Sequence, residues 1–199
     1  MTHCGVDYRD TRQFSRINKG FKVLNNTHLI HCSVLFISMN TTAMEFTASA
    51  IGKRIILLSS KYHLEISKRL EESALNHFIR QGGDNKLLKI VHVSGAWETI
   101  SATAYLAKSY NNADGIVVLG CVINGETDHS NWINNGVSNG IAMISAKSKI
   151  PIGFGILTCN SLEEALERSG GKIGDKGAET MGSVLFSLKH LDDFTPFKI

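Results

Sequence analysis

From about residue 52 onward the apolar positions follow two alternating rhythms. Arg54-Ile55-Ile56-Leu57-Leu58-Ser59 is a short apolar run, the pattern of a parallel strand buried on both faces. Ile66, Leu70, Ala74 and Phe78, flanked by Leu75 and Ile79, then recur at helical spacing, and Gly82-Gly83 supplies the stop. The cycle repeats: the pattern predicts a strand over 87–93, a helix over roughly 99–110 and a strand at Gly115-Ile116-Val117-Val118-Leu119. After a loop come a helix to about Lys149 and a fourth strand over 151–157. Ser161-Leu162-Glu163-Glu164 has the form of a capping box and opens a helix that Gly170-Gly171 ends. A last helix over about 176–191 carries Met181, Leu185 and Leu188 on one face.

Strands alternating with helices predict a parallel sheet with helices on both faces. The expected fold is therefore α/β, a three-layer α/β/α arrangement around a four-stranded parallel sheet, with right-handed crossovers giving a flavodoxin-like winding. No Pro- or Ser-rich linker interrupts residues 52–191, so residues 51–199 read as one domain and residues 1–50 as an extension. That extension imitates a secretion signal, with Arg9, Arg12, Arg16, Lys19 and Lys22 ahead of a mostly apolar stretch from Leu29 to Ser38. His28, His31 and Cys32 interrupt it, no small-residue cleavage site follows, and it falls short of the ~20 residues of a membrane helix. A flexible arm, or a true start at Met39 or Met44, is the expectation.

Composition narrows the function classes. The chain has 199 residues, 43% hydrophobic and 20% charged, as for a soluble globular protein. A net charge of +3 without a concentrated basic face argues against nucleic acid as a partner. Cys4, Cys32, Cys121 and Cys159 form no C-x-x-C pair, and reduced thiols in a cytoplasmic protein are expected. His28, His31 and Cys32 have no matching second half, so no metal site is expected.

In open parallel sheets ligands bind beyond the carboxyl ends of the strands. That rule selects four loops: Ser60-Lys61-Tyr62-His63, Gly95-Ala96-Trp97-Glu98, residues 120–129, and Thr158-Cys159-Asn160. Tyr62 and Trp97 offer flat faces for a heterocycle, although each alone also reads as a core or interface residue. Glu98 offers a carboxylate to ring or hydroxyl donors. Gly125-Glu126-Thr127 precedes a helix, whose free N–H groups favour an anion such as phosphate. Thr127 adds a hydroxyl, and His129 in the first turn is suited to moving protons. Neither a P-loop nor a G-x-G-x-x-G fingerprint occurs.

At these residues the chain resembles the lumazine synthase family of riboflavin biosynthesis. The resemblance rests on Gly95-Ala96-Trp97-Glu98, on Leu119 through Gly125-Glu126-Thr127-Asp128-His129, on Phe154-Gly155-Ile156-Leu157-Thr158, on Glu167-Arg168-Ser169-Gly170 and on Asp175-Lys176-Gly177, in order and at family-like spacing over about residues 50–190. It implies condensation of 5-amino-6-(D-ribitylamino)uracil with 3,4-dihydroxy-2-butanone 4-phosphate to 6,7-dimethyl-8-ribityllumazine, without a cofactor. By the same resemblance Tyr62, Ala96, Trp97, Glu98, Cys121, Val122 and Ile123 hold the uracil and ribityl chain. Glu126, Thr127 and Arg168 hold the butanone phosphate, with Lys172 and Lys176 as auxiliaries. His129 transfers protons and Phe154 closes the pocket on the ring. Read as single residues, Cys121 is a packing residue offering backbone, Phe154 a core aromatic and Arg168 a solvated helix-end charge.

Arg168 ends a helix that runs back from the carboxyl edge of the sheet at about 1.5 Å per residue, so it is expected near the opposite edge. To reach the same phosphate as His129 it must then come from a neighbouring subunit, making the protein a homo-oligomer with sites at interfaces, in line with the family's pentamers and larger shells. Thr99-Ile100, Asn124, Ser130 and Asn135 depart from the family pattern. A non-catalytic flavin- or lumazine-binding protein and a related riboflavin synthase are the competing readings. Neither needs a clamp for a small phosphate.

Overall fold

The computed structural model describes residues 48–109 and 112–191. The expectations placed on residues 1–47, including the His28, His31 and Cys32 trio, lie outside them. Four strands, β1 (Ile55–Ser60), β2 (Leu88–Val93), β3 (Gly115–Ile123) and β4 (Ile152–Cys159), alternate with α1 (Leu64–Arg80), α2 (Glu98–Ser109), α3 (His129–Lys147), α4 (Leu162–Arg168) and α5 (Lys176–Lys189). All strands are parallel, in the order β2-β1-β3-β4. That is the start of a flavodoxin-like winding.

The unbroken apolar runs have their expected cause. β1 is buried at every position, and β3 at all but its last, because helices cover both faces. On one face Ile55, Leu57, Val117 and Leu119 meet Ile66, Leu70, Ala74 and Phe78 of α1, Ala165 of α4, and Met181, Val184 and Leu185 of α5. On the other, Ile56, Leu58, Ile116, Val118 and Ile156 meet Leu106 of α2 and Val137 and Ile141 of α3. The two cores make the three layers. Helices α1 and α5 touch backbone to backbone: a Cβ on Gly177 would lie 2.3 Å from the carbonyl oxygen of Leu70.

Two boundaries differ from the sequence reading. β3 continues through Gly120, Cys121, Val122 and Ile123, which were expected in a loop, and β4 continues to Cys159 rather than ending near Leu157. The extensions pair with each other, Cys121 opposite Leu157 and Ile123 opposite Cys159. Each extra strand residue therefore finds its hydrogen bonds in a partner distant in sequence. The loop proper shrinks to residues 124–128.

Candidate active site

The sheet order reverses between β1 and β3, where the connection from β1 leads to β2 on one side and the rest of the sheet grows on the other. Such a switch point leaves a crevice at the carboxyl ends. A cavity of about 990 Å³ opens there, on the α2 and α3 side. Tyr62 and His63 line it after β1, Gly95 to Glu98 after β2, and Cys121, Val122, Ile123, Gly125, Thr127 and His129 at the end of β3 and beyond. The volume suits a small organic ligand.

Each wall is fixed locally. Tyr62 meets His63 edge to face, ring centroids 5.0 Å apart. Partial burial pushes the His63 imidazole below its ordinary pKa, favouring the neutral ring. Trp97 is 53% exposed, yet its indole rests directly on Gly136 of α3, where a Cβ would stand 2.2 Å from Cζ3. The Glu98 carboxylate folds back over Gly95. Thr99 is fully buried, and its hydroxyl donates to the carbonyl of Ala96. The Ala96-Trp97-Glu98 turn is thus fastened from below.

Cys121 lies in the core against α1 and α5, on the far face of the sheet from the cavity, so it offers the cavity backbone. Burial pushes its thiol up to about 12, with Cys159 beside it adding to the rise. Such a thiol is no nucleophile.

The turn before α3 bonds sparingly to itself. His129 donates its N–H to Thr127 Oγ1 at 3.5 Å, while the N–H groups of Asn131 and Trp132 go to the carbonyl of Asp128. The Asp128 side chain makes no cap bond. Asn124 anchors the start of the turn: its N–H donates to the carbonyl of Cys159 at 2.8 Å and its amide to Asn160 Oδ1 at 2.7 Å.

Several expected residues stand apart from the cavity. Glu126 is exposed outside it, and Phe154 is 45% exposed on edge strand β4. Lys172 and Lys176 are also away from the cavity wall, with Lys176 Nζ 2.6 Å from Glu179. Arg168 does not line the cavity either, but neither does it reach the opposite edge of the sheet. α4 has only 7 residues, about 10 Å of rise, against the 8 residues of β4. The Arg168 side chain also turns back: Nε donates to Glu164 Oε1 at 3.1 Å, Nη2 lies 3.1 Å from the same oxygen as an ion pair, and Glu164 Oε2 accepts the Asn160 N–H at 2.9 Å. Its guanidinium is held beside the carboxyl end of β4.

The sequence reading missed the α3 wall, formed by Ser130, Trp132, Ile133, Asn135, Gly136 and Asn139. The signal was available: once His129 faces the cavity, residues three, four, seven and ten further on share its side of the helix. His63 was missed because a histidine beginning a helix is unremarkable until its neighbours are known.

Among the described residues no group of three or more His, Cys, Asp or Glu could hold a metal ion, and no helix is long and apolar enough to cross a membrane. The fold and cavity together define an α/β protein with an open cavity at its topological switch point. A family model described as 6,7-dimethyl-8-ribityllumazine synthase matches residues 52–191. Proteins named 6,7-dimethyl-8-ribityllumazine synthase are similar: one from Helicobacter pylori (strain G27) is 40% identical over 134 residues, 67% of this chain and 85% of the relative. One from Helicobacter hepaticus is 41% identical over 133 residues, 67% of this chain and 85% of the relative. One from Nitratidesulfovibrio vulgaris (strain DP4) is 34% identical over 154 residues, 77% of this chain and 98% of the relative. The chain belongs to the 6,7-dimethyl-8-ribityllumazine synthase family.

Proposed function

We propose that the cavity at the carboxyl ends of β1, β2 and β3 condenses 5-amino-6-(D-ribitylamino)uracil with 3,4-dihydroxy-2-butanone 4-phosphate, giving 6,7-dimethyl-8-ribityllumazine for riboflavin biosynthesis. The observation that carries this is a convergence. The aromatic faces of Tyr62 and Trp97, the Glu98 carboxylate, Gly125 and Thr127 of a turn suited to an anion, and the His129 imidazole line a single cavity.

The uracil lies against Tyr62 and Trp97 and the backbone of Ala96, Cys121, Val122 and Ile123, while Glu98 accepts from the ribityl hydroxyls. The phosphate sits at the turn before α3, where the Thr127 hydroxyl and the dipole of a 19-residue helix, left without a cap bond by the Asp128 side chain, favour negative charge. Glu126 contributes its main chain, since a carboxylate beside phosphate would repel it. Imine formation, loss of phosphate and ring closure are proton transfers between held partners, and His129 at the mouth of the turn carries the proton.

Phe154 and Arg168 complete the neighbouring subunit's site. What supports this is their shared placement: both belong to the β4–α4 side, both are substantially exposed, and neither lines the cavity of its own chain. The enzyme is then a cytoplasmic homo-oligomer, a pentamer or larger, whose catalytic domain is residues 51–199 together with Ala48 and Ala50, which are buried in its core. Mixing the purified protein with both substrates tests the assignment. Lumazine absorbance rising with equimolar phosphate release is expected, and ligand binding without turnover would refute it in favour of a binding protein.

A further inference from the structure

Glu164 stands between the two ends of a polar chain. One carboxylate oxygen accepts the Nε–H of Arg168 and pairs with its Nη2, and the other accepts the main-chain N–H of Asn160 directly after β4. Asn160 is in turn held by the Asn124 amide. In an ordinary capping box a glutamate at this position bonds the N–H of the cap residue, here Ser161. Ser161 does accept from the Glu164 N–H, but the Glu164 side chain reaches past it to Asn160. The carboxylate is therefore fastened to the rigid end of a strand. The N–H of Asn160, followed by Arg168, holds it below the usual carboxylate range, so it is charged throughout the neutral region.

An unheld arginine side chain spreads over many rotamers, and fixing it on a ligand costs conformational entropy. Here that ordering is done in advance. Of the five guanidinium N–H groups, Glu164 accepts the Nε–H and pairs with the Nη2 side of the charge. The outer Nη1 and Nη2 edge is left for end-on recognition of a phosphate. We propose that Glu164 is a positioning residue for Arg168, aiming its free edge at the butanone phosphate in the adjoining subunit. This rests on the reading of Arg168 given above.

The test is steady-state kinetics with each substrate varied in turn, on oligomers verified by native mass spectrometry. Glu164→Ala is expected to raise the KM for the butanone phosphate roughly five- to tenfold and to leave the KM for ribitylaminouracil within about twofold. Glu164→Gln, whose single amide oxygen can keep Arg168 only by turning its NH2 toward the Asn160 N–H, should recover part of that loss. Arg168→Ala and the Arg168→Ala/Glu164→Ala double variant should have equal KM values for the phosphate substrate, because the glutamate has nothing left to position. A purely structural role would lower the active fraction and leave both KM values unchanged. If Glu164→Ala does not assemble, Glu164→Asp, one methylene too short to bridge, must show the same selective rise. Unchanged KM values in the Glu164 variants, with a rise in Arg168→Ala, would overturn the positioning role alone. No rise in Arg168→Ala would overturn the reading of Arg168 and this proposal with it.

Discussion

Gly136→Ala separates the demands of the helix from those of the site. A Cβ at residue 136 would stand 2.2 Å from Cζ3, 2.9 Å from Cη2 and 3.3 Å from Cε3 of Trp97. Carbon atoms rest at about 3.5–4.0 Å, so the indole must retreat by more than about 1 Å. It is half exposed and has room to do so without disturbing the core. The helix meanwhile gains about 1 kcal/mol from replacing an interior glycine by alanine. Stability should therefore hold or rise, by about 2–4 °C in Tm for a domain of this size. The stacking face of the site is displaced, and an error of that size should weaken ribitylaminouracil binding about tenfold. Calorimetric titration and a thermal melt read the two effects independently, and the KM for the phosphate substrate should move less than about twofold. Unchanged uracil affinity would refute the role of Trp97. A fall of several degrees in Tm would refute the claim that the indole yields and the core does not.

His129→Gln should lower kcat by roughly 10²- to 10⁴-fold while the oligomer and uracil binding persist, as measured by turnover and titration; a fall below tenfold would remove His129 from proton transfer. Gly177→Ala places its Cβ against backbone of α1, which cannot swing aside, and should cost about 3 kcal/mol in urea unfolding despite the better helix propensity. Asp114 accepts the Arg54 N–H at 2.7 Å and pairs with its guanidinium at 3.1 Å, joining the starts of β1 and β3. Burial alone would raise the pKa of Asp114, but the Arg54 hydrogen bonds and charge outweigh it and hold the carboxyl below its ordinary value. Its stabilisation is complete above the unfolded value near 4 and is lost as pH falls through the lower folded value, so the Tm deficit of Asp114→Ala should be full at pH 6 and shrink below about pH 4. The Arg54 end of the pair is half exposed, which limits the effect to at most about 1 kcal/mol.

Much of the fold was written locally. The apolar runs of β1 and β3, the Ile66-Leu70-Ala74-Phe78 stripe and the Ser161 cap each depend on near neighbours in sequence, and each forms where the pattern put it. The same holds for the end of the sheet at which the cavity opens, because alternating strands and helices admit few windings. Tertiary structure decided what depends on distant partners. β3 runs on to Ile123 only because β4 is there to pair with it, and Cys121 turns its thiol from the cavity because strand pairing fixes which side it faces. Trp97 has its seat because α3 presents a glycine at that turn. Arg168 was recognisable as a residue of interest in the sequence, but its direction was not. A long side chain at a helix end can point anywhere, and the bond from Glu164 to the N–H of Asn160 is what turns it back toward the carboxyl edge.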